Sequence, residues 1–120
     1  MDAETTAFFQ RRRFAAGTVV FDEGTRGEEA YLVESGEIDI QKRRVDGWHP
    51  IGRIAAGGLF GEMALIDDAP RMARAVAVSD AQCLVIARRR LREKLDAADP
   101  VLRGLLRILV QNIRSMAAAP

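Results

Sequence analysis

Between Phe14 and Ala87 the chain changes pattern every few residues, and this limits the folds open to it more than any other feature. Short β-prone runs are broken by glycine, aspartate and serine. "TVVF" (18–21), "EAYLVES" (29–35) and "EIDIQKR" (37–43) are the clearest strands, followed by "HPIGRIA" (49–55), "RAVAVS" (74–79) and "QCLVIA" (82–87). "EIDIQ" alternates apolar with polar, as a half-buried strand does. Ser35-Gly36 marks a tight turn, Asp46-Gly47 marks a hairpin, and Asp80-Ala81 separates the last two strands. A parallel sheet needs crossover helices, and these gaps leave no room for them. The chain therefore reads as mainly β and antiparallel: a sandwich, jelly roll or small barrel. Ahead of the strands, "AETTAFFQRRR" (3–13) reads as a short, weakly patterned helix.

After Ala87 the period becomes helical. "RRRLREKLDAA" forms a short helix with Leu91 and Leu95 on one face. "DPVLRGLLRILVQNIRSM" opens a longer one, with Asp99 as N-cap and Pro100 in the first helical position. Leu102, Leu106, Leu109, Ile113 and Met116 step by four, three, four and three, which is a heptad seam. Val101, Leu105 and Ile108 widen it. The stripe suits a helix that covers the β core and also meets a second chain; packing on its own domain alone is the other reading.

Several function classes are disfavoured. At 120 residues the chain is one domain, and a net charge of +1 gives no general attraction to nucleic acid or anionic membrane. The basic runs 11–13, 42–44 and 88–90 read as solvated faces. Cys83, the only cysteine, can form no internal disulfide and reads as a small core residue. The N-terminus carries acids where a signal peptide needs positive charge, and no apolar run reaches membrane-spanning length. A cytoplasmic location follows. His49, the only histidine, reads as a surface loop residue, so neither a metal site nor a histidine-activated nucleophile is available. Asp67 and Asp68 are adjacent and read as turn residues rather than a facing catalytic pair. The sequence points away from an enzyme, and from a metal or cofactor.

What remains is "GGLFGEMALIDDAPRMARA", residues 57–75. Gly57, Gly58 and Gly61 allow close backbone approach to a ligand. "EMALI" fits one helical turn whose first amides favour an anion. Arg71 stands nine positions after Glu62, behind Pro70, and a guanidinium with backbone amides suits a phosphate. Glu62 cannot bind phosphate but accepts hydrogen bonds from sugar hydroxyls. Ala64, Ala69 and Ala73 keep the loop narrow. The spacing fits a sugar-phosphate grip. It fits equally a glycine turn with Arg71 in a surface salt bridge.

The motif "FGEMALIDDAPRMARAVA" resembles the phosphate-binding cassette of the cyclic nucleotide-binding domain family. "AAGTVVFDEGTRGEEAYLVESGEIDI" is similar to that family's early strands, and "LVIARRRLREKLDAADPVLRGLLRILVQNIR" to its closing helices. The resemblance spans roughly 14–114. It implies an antiparallel, jelly-roll-like β-roll (14–87) with its cassette at 57–75, closed by lid helices at 88–116, that binds cAMP or, less readily, cGMP. Glu62 would take the ribose 2′-hydroxyl and Arg71 the cyclic phosphate. The amides of Gly61, Ala64 or Leu65, and Met72 would complete the anion cradle beside Ala73. Ile54 and Phe60 would adjoin the base, and Leu109, Ile113 and Arg114 would supply the lid.

Two positions depart from the family pattern. Met72 stands where a small or hydroxyl residue is common, and Arg74 where threonine is frequent. The family's DNA-binding helix-turn-helix and membrane helices have no counterpart in these residues, so the expected partners are a cyclic nucleotide and a protein or second copy through helix 100–116. Neither nucleic acid nor membrane is expected. The rival reading is a protein-interaction or dimerisation domain that keeps the fold and has lost nucleotide binding.

Overall fold

The computed structural model describes residues 8–118. Eight strands form two four-stranded sheets in which every pairing is antiparallel. The strands are β1 (Gln10–Phe14), β2 (Val19–Phe21), β3 (Glu29–Ser35), β4 (Ile38–Arg44), β5 (Gly47–Ile54), β6 (Leu59–Phe60), β7 (Arg74–Ala77) and β8 (Ala81–Ala87). One sheet runs β1-β8-β3-β6 and the other β2-β7-β4-β5. Three helices are described: α1 (Met63–Asp67), α2 (Arg88–Asp96) and α3 (Pro100–Ala118). This is the antiparallel β-roll with flanking helices that the strand spacing and the resemblance imply.

The β8 sequence shows why the sheets stack as they do. Ala81, Cys83 and Val85 face inward to meet Tyr31, Val33, Ile38, Phe60, Ala75 and Ala77 between the sheets. Ile86 faces the other way, into a second cluster with Ala30 and Leu65 that Phe8, Phe9 and Leu91 flank. A strand buried on both faces reads as a continuous apolar run rather than an alternating one. Cys83 is wholly buried and burial pushes its thiol up to about 11, so it packs as a small apolar residue.

Gly36 closes the turn between β3 and β4 at φ +84°, where a Cβ would stand 2.3 Å from the Asp80 carbonyl oxygen. Only glycine fits there without moving backbone. Asp99 caps α3, its carboxylate accepting from Val101 N–H at 2.8 Å.

Two expectations are corrected here. Residues 10–13, read as the end of a helix, instead join Phe14 in edge strand β1, paired in register from Gln10–Val85 to Phe14–Ala81. Its three arginines suit a sheet edge, where charge deters unwanted pairing; Phe8 and Phe9 lie in a turn and bend rather than a helix, and residues 3–7 lie outside the described residues. The heptad stripe of α3 does not cover the β core. The helix leans on α1 with Val110 buried, while Leu102, Leu109, Ile113 and Met116 of the seam and Val101, Leu105 and Ile108 beside it are exposed. Helix geometry explains this, because Val110 and Arg114 lie about a quarter-turn from the seam, with Leu106 at the seam's near edge.

Candidate functional site

The 57–75 loop, the β2-β7-β4-β5 sheet and the late part of α3 line a pocket of about 320 Å³. Arg71 forms part of its wall and is only 5% exposed. Its Nη1 donates to Gly61 O at 2.5 Å and its Nη2 to Glu29 O at 2.6 Å. Its guanidinium carbon lies 3.9 Å from the centroid of the Phe21 ring. Neither hydrogen bond ends on a carboxylate, and Nε is buried with no acceptor among the described residues. Burial lowers the guanidinium from its ordinary value, opposed by Tyr31, Glu29, Glu62 and Glu28. A buried cation held by neutral carbonyls, with a donor to spare, is half of an ion pair.

Glu62 immediately precedes α1 and lines the same pocket. Burial raises its carboxyl above the usual range, partly offset by a hydrogen bond to its own backbone and by Arg71. No side-chain cap uses this carboxylate. The α1 N-terminus carries the amides of Met63 and Ala64, which helix geometry leaves without intrahelical acceptors. Gly61 lies between Glu62 and Phe60 at φ +80°, and a Cβ there would meet Arg71 Nη1 at 2.9 Å and Phe21 at 3.2 Å. The glycine is therefore required both for its backbone conformation and for the arginine's seat.

The expected site residues divide cleanly. Ile54, Phe60, Gly61, Glu62, Ala64, Arg71, Met72, Ala73, Ile113 and Arg114 all line the pocket, and Ile40, Ile51 and Leu59 extend its apolar wall. Leu65 and Leu109 do not. Leu65 is fully buried in the second cluster and its amide donates to Glu62 O at 3.1 Å, so it belongs to the support of α1. Leu109 points outward with the exposed stripe. Gly57 and Gly58 serve the turn into β6, where Gly57 N–H donates to Val33 O at 2.8 Å. Arg74 is drawn away from the pocket, its Nε donating to Gln41 Oε1 at 2.8 Å and its guanidinium lying over Trp48. Met72 lines the pocket, and its carbonyl accepts from Lys42 Nζ at 2.6 Å.

Arginines brace α1 from both sides. From α2, Arg88 donates to Gly27 O at 2.7 Å and Ala64 O at 3.2 Å, and Arg92 to Leu65 O at 3.2 Å and Ile66 O at 3.3 Å. Both also pair with Asp68. From α3, Arg114 pairs with Asp67 through Nε and through Nη2 at 3.1 Å, and Nη1 donates to Pro70 O at 3.2 Å. Asp67 and Asp68 are thus more than turn residues: each anchors a different closing helix. The basic runs are likewise more than solvated faces. Arg88 is largely buried, Lys42 holds Met72, and Arg12 forms a two-pronged pair with Glu29 at 2.7 Å on both arms.

That Glu29 pair was not readable from spacing. Arg12 is the main cause holding the Glu29 carboxyl below its ordinary value, and Tyr31 Oη also donates to it at 3.1 Å. The Glu29 backbone carbonyl meanwhile accepts from Arg71, so β1 and β3 together form the floor under the arginine. The acid-base pairing joins residues 17 apart, and nothing short of the strand register reveals it.

The arrangement is suited to binding. A buried cation with amides beside it takes an anion, a carboxylate alongside takes hydroxyls, and an apolar wall takes a flat ring. Among the described residues no three His, Cys, Asp or Glu side chains converge to hold a metal ion. No described helix is long and apolar enough to cross a membrane.

Comparison with known proteins agrees with this chemistry. Residues 11–98 match the model of the cyclic nucleotide-binding domain. The cAMP-dependent protein kinase regulatory subunit of Aspergillus fumigatus is 35% identical over 91 residues, covering 76% of this chain and 22% of that protein. The Cyclic AMP receptor protein of Thermus thermophilus is 32% identical over 109 residues, covering 90% of this chain and 50% of that protein. This chain therefore spans half or less of these two relatives. The EAL enzyme Bd1971 in its cAMP-bound form superposes with a TM-score of 0.84 at 30% identity, covering 90% of this chain and 29% of that one. Its cGMP-bound form superposes with a TM-score of 0.83.

Proposed function

The chain belongs to the cyclic nucleotide-binding domain family, and on that premise we propose that it is a regulatory sensor that binds cAMP in preference to cGMP. The observation that carries this reading is Arg71: a buried guanidinium with no carboxylate partner and an unused Nε among the described residues, in the wall of a pocket that Glu62 shares. Arg71 takes the cyclic phosphate, with the amides of Gly61, Ala64 and Met72 and the small Ala73 beside it. Glu62 accepts from the ribose 2′-hydroxyl. The base lies against Ile54 and Phe60, with Ile113 and Arg114 of α3 as the lid.

The preference for cAMP follows from Met72. Its thioether offers no hydroxyl to guanine's polar edge, and burying that edge unpaired costs affinity. Binding brings an anion to Arg71 and shifts the balance between two positions of α3, because a ligand favours the state it binds better. The β-roll and its closing helices act as one unit in the cytoplasm, without catalysis and without nucleic acid or membrane. The exposed stripe of α3 is the output, offered to a protein partner or to a second copy.

A thermal shift assay with millimolar cAMP and cGMP tests the reading. Ligand at a hundred times its Kd stabilises the folded state by about 2.7 kcal/mol. A rise in Tm with cAMP, larger than with cGMP, is expected. No shift with either nucleotide contradicts it.

One observation favours the second reading, a dimerisation or interaction domain without ligand. Two Arg71 donors already have backbone acceptors, which lessens the arginine's need for an anion. In that case the α3 stripe mediates association whatever nucleotide is added.

A further inference from the structure

Asp67 ends α1, the helix whose other end carries Glu62 and Gly61. Its carboxylate receives two donors from Arg114 of α3, and it also accepts from Ala69 N–H at 3.0 Å. Arg114 reaches further, to the carbonyl of Pro70, the residue directly before Arg71. One guanidinium therefore joins the lid helix, the end of α1 and the approach to the phosphate-side arginine. The side chains of Asp67 and Arg114 are only 14% and 20% exposed, so water screens the pair weakly. Most of α3 is otherwise exposed, with Val110 its buried apolar anchor. Ile113, next to Arg114, forms the lid side of the pocket.

We propose that Asp67 is a positioning residue for the ligand: by holding Arg114 it sets Ile113 over the pocket, and so governs how long a bound cyclic nucleotide stays. This rests on the cyclic nucleotide reading above. The role belongs to Asp67 rather than to its neighbour, because Asp68 pairs with Arg88 and Arg92 of α2 and makes no link to the lid among the described residues. A latch at the mouth acts mainly on escape. Removing one partner of a shielded, hydrogen-bonded charge pair raises koff more than it lowers kon.

The test is stopped-flow release of a fluorescent cAMP analogue from the unaltered chain and from Asp67→Asn, Arg114→Gln and the double variant. Asparagine keeps an acceptor for Ala69 N–H while removing the charge, so the turn is preserved. Each single change is expected to raise koff roughly tenfold, with kon changed less than about twofold. The double variant should be no faster than the faster single one, because both remove the same contact. Asp67→Glu should restore part of the slow release, which a merely structural defect would not allow. If Asp67→Asn does not fold, Arg114→Gln and Asp67→Glu carry the comparison. An unchanged koff in Asp67→Asn, or additive effects in the double variant, overturns this proposal while leaving nucleotide binding in place. Failure of the unaltered chain to bind the analogue overturns both.

Discussion

The 57–75 loop and helix α3 form two sides of one pocket, yet they are built in opposite ways. The loop is packed from small residues, its arginine is seated by two backbone carbonyls and an aromatic face, and α2 braces its helix through Arg88 and Arg92. Helix α3 shows most of its apolar surface to solvent: Val101 and Met116 are each 71% exposed. Its polar tie to the loop is Arg114. On the proposed reading, the contrast places rigid recognition of phosphate and sugar on one side and an adjustable closure on the other. Elements that move for function come from the weakly packed end of a structure.

That contrast can be broken most directly at Arg71. Arg71→Ala should weaken cAMP binding by about 2 kcal/mol or more, roughly thirtyfold, since a charge-assisted contact to phosphate is lost. Titration calorimetry measures it, and an unchanged affinity would show that the loop is not the rigid half. Gly61→Ala comes next. The positive φ and the 2.9 Å approach to Arg71 predict a stability loss of about 1–3 kcal/mol, with weaker nucleotide binding, seen by urea melts and the same titration. A full-strength binder with wild-type stability would mean that the arginine's seat is adaptable.

Glu62→Gln separates stability from recognition. The Glu62 carboxyl is raised in the fold relative to the unfolded chain, so its contribution to stability is greatest below the unfolded value and falls as pH climbs through the folded one. Glutamine removes that fall. Melts from pH 4 to pH 7 should show the variant holding or gaining stability at the upper end, within about 1 kcal/mol. Nucleotide affinity should drop about tenfold, because a charged acceptor for the ribose is gone. Loss of stability at pH 7 would place Glu62 among the structural residues. The smallest effect belongs to the stripe. Replacing Leu102 and Leu109 with glutamine should leave stability and cAMP affinity within about 0.5 kcal/mol, while sedimentation shows any self-association abolished. A large stability loss would mean that this face packs on its own domain.

The sequence made the β-roll legible because its strands are short, closely spaced and punctuated by turn residues with real conformational demands, such as Gly36. β1 escaped notice because an arginine-rich edge strand has no apolar alternation to find. Most pocket residues were readable because 57–75 is local: Glu62, Arg71 and their small neighbours lie on one loop. Residues that support the site from elsewhere were not. The Arg12–Glu29 pair and the links from Asp67 and Asp68 to Arg114, Arg88 and Arg92 depend on which strands and helices come to lie together. Side-chain spacing is silent on that. The α3 stripe was half legible: a helix with a broad apolar face could be read, but periodicity does not say which arc of that face meets the domain.

The central claim is that a buried arginine seated on two backbone carbonyls takes a cyclic phosphate. Calorimetric titration of the unaltered chain and of Arg71→Ala with cAMP and cGMP tests it most directly. One saturable site, tighter for cAMP than for cGMP and weakened about thirtyfold or more by the substitution, is the result the structure predicts. Heat of dilution alone with both nucleotides, or equal affinity with and without the arginine, would contradict it.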